Sequence, residues 1–151
     1  VTASARPSPA APAQVSGRVE LTPIQRWFLD EHTVDPDHYA MSAHLELAPG
    51  TDAALLELAL DAVVAHHDAL RMRYTRDGGT WIQEYGDRPS GLLAVRDLAG
   101  GENTEEVLNA AALEAQRALG LSGGTLVKGV LFRFGDGTAP RLFLAVHHIV
   151  M

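Results

Sequence analysis

Cysteine is absent from the 151 residues, so no disulfide, thiolate nucleophile or cysteine-held metal can exist. Basic residues are scarce: twelve Lys and Arg face nineteen Asp and Glu, for a net charge of -7. Such a balance argues against a nucleic-acid partner and against an anionic membrane surface. No apolar run approaches the roughly 18 residues of a membrane span, and the N-terminal stretch lacks the apolar centre of a signal peptide. Together these absences point to a cytoplasmic protein. Several chemical signatures are missing as well. Gly78-Gly79, Gly100-Gly101 and Gly123-Gly124 are isolated pairs rather than parts of a G-x-G-x-x-G or G-K-[ST] phosphate loop. There is neither a G-x-S-x-G elbow nor an H-E-x-x-H zinc pattern.

What remains is the composition of a folded domain, 46% hydrophobic and 21% charged, long enough to bury a sizeable core. Residues 1–18 are the exception: rich in Ala, Pro and Ser, they read as a linker, with a tether to an upstream domain one expectation for it. Structure is expected from residue 19. Thr22 can cap a helix, Pro23 suits its first turn and Gln25 completes a capping box. Ile24, Trp27 and Phe28 recur at helical spacing and are expected in the core, whereas Asp30, Glu31, Asp35 and Asp37 read as a solvated exit.

Alternation from Met41 to Leu47 predicts a half-buried strand, and Pro49-Gly50 ends it. Thr51 or Asp52 then caps a helix whose Leu55, Leu58, Ala59, Ala62 and Val63 form the expected inward stripe. Arg76 to Gly79 joins two strands as a hairpin. A short strand is expected at 92–95, and a helix capped by Asn103 should bury Val107, Leu108, Ala111, Ala115 and Leu119, ending at Gly120. Strands at 126–134 and 141–146, joined by a Gly- and Pro-rich loop, should pair. Interleaved strands and helices with hairpins predict an α/β sandwich on a largely antiparallel or mixed sheet.

The last strand ends at His147-His148. Imidazole titrates near neutral pH, so a histidine at the mouth of a sheet can transfer protons; a histidine satisfied by hydrogen bonds at a strand end is the plainer alternative. Neighbours on a strand point to opposite faces, so one should meet a cavity and the other the interior, and the pair cannot readily share a metal.

Three stretches in this order, Pro23-Ile24-Gln25-Arg26-Trp27-Phe28, His66-His67-Asp68-Ala69-Leu70-Arg71 and His147-His148-Ile149-Val150-Met151, resemble the condensation-domain superfamily of nonribosomal peptide synthetases. The last resembles H-H-x-x-x-D-G cut before its Asp-Gly, and the resemblance runs from residue 19 to 151. Pro23 to Phe28 and His66 to Arg71 are most similar to the epimerization branch, which typically reads P-I-Q-x-W-F. Ala40-Met41 departs from the Asn-Gln of many such domains, and Thr125 stands where Pro is usual.

The resemblance implies a chloramphenicol-acetyltransferase-like two-layer sandwich lobe, the N-terminal half of a V-shaped domain whose second lobe completes the active-site tunnel. It implies His148 as the catalytic acid/base, His147 as its structural partner and Arg71 as the partner of the motif aspartate. The second acid/base group would be a glutamate of the C-terminal lobe. The implied reaction inverts Cα of an aminoacyl or peptidyl thioester, with no cofactor of the domain's own. The substrate would ride on the phosphopantetheine arm of a peptidyl carrier protein, and neighbouring synthetase modules would be partners. Peptide-bond formation, or a non-catalytic docking lobe, are the alternatives.

Overall fold

The computed structural model describes residues 15–98, 104–135 and 137–151. Its strands are β1 (Arg18–Val19), β2 (Ala40–Glu46), β3 (Met72–Asp77), β4 (Thr80–Tyr85), β5 (Leu93–Leu98), β6 (Val127–Phe134) and β7 (Arg141–His147). Its helices are α1 (Pro23–Glu31), α2 (Ala53–His66) and α3 (Thr104–Arg117). Short 3-10 turns lie at Pro36–His38, Asp68–Arg71 and His148–Val150.

One sheet runs β2-β7-β6-β5, with β5 and β6 parallel and the other pairs antiparallel. The parallel pair needs a crossover, and α3 supplies it. Alternate residues of β6 and β7 face opposite ways. Val130, Phe132, Phe143 and Ala145 pack against Leu108, Ala111, Ala112 and Ala115 of α3, while Val127, Leu144 and Val146 face Leu60 and Val64 of α2. Full burial of Phe132, Phe143 and Leu131 contributes about 1.5–3 kcal/mol each. The second sheet, β1-β4-β3, carries the hairpin whose Gly78 and Gly79 both hold positive φ, as a two-residue primed turn requires. Met72 and Tyr74 from it, Phe28 and Leu29 from α1, and Ile149 from the last turn form a separate core.

Several expectations need correction. The stripe expected to face inward on α2 is exposed along its length, and Leu56, Leu60 and Val64 turn inward instead. This helix is apolar on nearly every side, so periodicity cannot choose its docked face. β2 is exposed on both faces rather than one, and among the described residues it is an edge strand paired only to β7. β5 extends to Leu98, α3 ends at Arg117, and Val107 is exposed. Asn103 and Gly100-Gly101 lie outside the described residues. Asp37 is no mere solvated exit: its carboxylate accepts the Leu121 N–H at 2.6 Å.

Candidate active site

β7 is hydrogen-bonded on both sides, so its end is a fixed platform. His147, its last residue, is 0% exposed. Its Nε2 lies 2.8 Å from the Pro36 carbonyl and its Nδ1 accepts the Ile149 N–H at 3.2 Å. A carbonyl can only accept and an amide N–H only donate, so one tautomer fits, with the proton on Nε2. Burial lowers the His147 pKa, while the Pro36 carbonyl and Asp37 oppose that shift. His147 is therefore a neutral structural imidazole with both nitrogens engaged.

The strand ends there and the chain turns. The His148 backbone N–H donates to the Tyr39 carbonyl at 2.8 Å, and its side chain is exposed. The two imidazoles thus face different surroundings as expected, but the cause is a 3-10 turn starting at His148 rather than strand alternation alone.

α1 forms one wall of the cleft in front of His148. The expected capping box is present: Thr22 and Gln25 exchange hydrogen bonds at 3.0 and 3.3 Å. Gln25 does more than cap, since its Nε2 also donates to Tyr74 Oη at 3.2 Å and to the Ile149 carbonyl at 3.4 Å. One amide therefore ties the helix start to the turn that carries His148. Burial pushes the Tyr74 phenol up to about 12, so it remains a neutral hydroxyl in this network.

Phe28 is in the core as expected, but Ile24 and Trp27 are 65% and 56% exposed and line the cleft. His32 and Tyr39, to which sequence reasoning gave no role, join them. The His32 ring stacks on Phe28 at 4.5 Å, Tyr39 sits 4.9 Å from His32, and His148 sits 5.3 Å from Tyr39. His32 Nδ1 lies 3.1 Å from the Phe28 carbonyl and so carries a proton. The available signal was the four-residue spacing of Phe28 and His32 on one helix face.

Arg71 is brought elsewhere. It closes the turn after α2, is 3% exposed and is ion-paired with Asp68. Its Nε is buried without a partner among the described residues, leaving a donor for a further acceptor. It lines a groove with Ser16, Tyr85 and Asp87 rather than the His148 cleft. Among the described residues, no group of three or more His, Asp or Glu could hold a metal ion, and no helix is long and apolar enough to cross a membrane.

The fold recurs in known proteins. The condensation-domain family model matches residues 15–151. The chain is 35% identical over 145 residues to one of the linear gramicidin synthase proteins of Brevibacillus parabrevis, covering 94% of this chain and 3% of that protein. It is 37% identical to surfactin synthase subunit 2 of Bacillus subtilis (strain 168), covering 91% of this chain and 4% of that protein. Among solved structures, the epimerization domain from the third module of tyrocidine synthetase B superposes with a TM-score of 0.80 at 32% identity, covering 89% of this chain and 31% of that one. The first condensation domain of the calcium-dependent antibiotic synthetase gives 0.72 at 29%, covering 88% and 33%. The chain thus spans about a third of those solved chains and a few per cent of the synthetases. Its fold is the mixed α/β lobe of these domains, and the chain belongs to the condensation-domain family of nonribosomal peptide synthetases.

Proposed function

We propose that this lobe serves an epimerization domain, which inverts Cα of an aminoacyl or peptidyl thioester held on the phosphopantetheine arm of a peptidyl carrier protein. The observation that carries the reading is the division between two adjacent histidines, His147 locked and buried, His148 exposed in a cleft. The Pro23 to Phe28 sequence and the likeness to the tyrocidine synthetase epimerization domain support inversion over peptide-bond formation.

The thioester carbonyl acidifies the neighbouring C–H. His148 takes the Cα proton, the electron pair of that bond passes into the thioester as an enolate, and a proton returns to Cα from the opposite face. Inversion therefore needs a second group across the substrate, and in this reading the other lobe supplies it as a glutamate. Arg71 is a positioning residue: its Nε–H, unpartnered among the described residues, donates to a second carboxylate, the aspartate that follows His147-His148 in the family motif. Residues 1–18 act as the tether from a carrier domain and residues 19–151 as the N-terminal lobe.

The test is exchange of Cα hydrogen for deuterium in the complete synthetase loaded with an L-aminoacyl carrier in D2O. Exchange that His148→Ala abolishes supports the reading. Amide formation between two loaded carriers, without exchange, favours condensation, to which the antibiotic-synthetase condensation domain lends support. Neither reaction in the complete protein would leave a docking lobe.

A further inference from the structure

The cleft beside His148 has walls that are unusual for a surface. Ile24 and Trp27 project from α1 next to the half-exposed ring of Tyr39, with Phe28 and Ile149 behind them. Large apolar side chains left open around a concavity mark a binding surface. No Asp, Glu, Lys or Arg is among its lining residues; the polar groups there are Gln25, His32, Tyr39 and His148. Of these, Gln25 spends its amide on Thr22, Tyr74 and Ile149, and His32 Nδ1 is spent on the Phe28 carbonyl.

We propose that this cleft receives the side chain of the carrier-bound residue and selects an apolar one, branched aliphatic or phenyl. The inference rests on the carrier-thioester chemistry proposed above and adds the substrate class. A group whose Cα meets His148 must put its side chain within a few ångströms of that imidazole, and the apolar walls begin there. The cleft volume is about 110 Å3, close to the apolar cavity of about 150 Å3 that admits benzene. A phosphopantetheine arm suits the cleft poorly, since its two amides and phosphate would meet walls with few unspent donors and no cation. A charged side chain would lose its hydration there, and these walls offer it no counterion.

The test uses the complete synthetase and unreactive thioether analogues of leucyl-, phenylalanyl-, aspartyl- and lysyl-pantetheine, with binding followed by calorimetry. The leucyl and phenylalanyl analogues should bind at least about tenfold tighter than the charged pair, as expected for an apolar pocket. Ile24→Asp, at a position 65% exposed in this lobe, should erase that preference, and Ile24→Leu should retain it. Equal binding of all four analogues, or a preference unchanged by Ile24→Asp, overturns the inference. Because binding is read without turnover, the outcome is independent of deuterium exchange, which decides the reaction.

Discussion

Replacing His147 by Ala probes the platform on which His148 stands. The substitution removes the hydrogen bonds to the Pro36 carbonyl and from the Ile149 N–H. Each such bond contributes about 1 kcal/mol, and each buried group left unpaired costs about 1–3 kcal/mol. The imidazole is also fully enclosed, so its loss leaves a cavity. The expected destabilisation is about 3 kcal/mol, read as a lower urea midpoint at unchanged slope. His147→Asn, whose Oδ1 can take the place of Nδ1 toward Ile149, should restore about half of it. Burial lowers the pKa from its ordinary 6.5, so the unfolded chain binds the proton first as pH falls. The His147 contribution is therefore complete above about 6.5 and declines below it, down toward the folded pKa. The difference between wild type and His147→Ala should shrink across that range. A loss under about 1 kcal/mol, or a difference that does not change below pH 6.5, would refute the assignment of a buried neutral imidazole.

Three further outcomes follow from the same structure. Gln25→Ala should cost about 2 kcal/mol in chemical denaturation, because one amide serves the cap, Tyr74 and the Ile149 carbonyl. Asp52→Ala should cost about 1 kcal/mol by the same measurement, since its carboxylate accepts from the Ala54 and Leu55 N–H groups at the start of α2. Gly124→Ala should lower the melting temperature, since φ there is +69° and a Cβ would come 2.9 Å from Arg73 Cγ.

Local chemistry was the legible part of the sequence. The capping box at Thr22 and Gln25, the Gly78-Gly79 turn and, Val107 apart, the inward row of α3 each depend on residues a few positions apart, and each is found. Faces were less legible. α2 carries Leu on several sides, so its docked row, Leu56, Leu60 and Val64, could be chosen only by its partners Leu92 and Val127. Ile24 and Trp27 illustrate the opposite case: bulky, apolar and helical in spacing, they read as core, yet they line the cleft. Of the site, the contrast between His147 and His148 was visible as strand-end geometry. The contributions of Tyr39 and His32 were not, because they arise from a loop and a helix end that meet β7 only in three dimensions.

The central claim is that His148 transfers the Cα proton. In the complete synthetase bearing an L-aminoacyl carrier thioester in D2O, mass spectrometry of the released amino acid should show deuterium at Cα in wild type. His148→Ala should show essentially none while keeping its urea midpoint, since the side chain is exposed. Deuterium incorporation at the wild-type rate in His148→Ala would contradict the account.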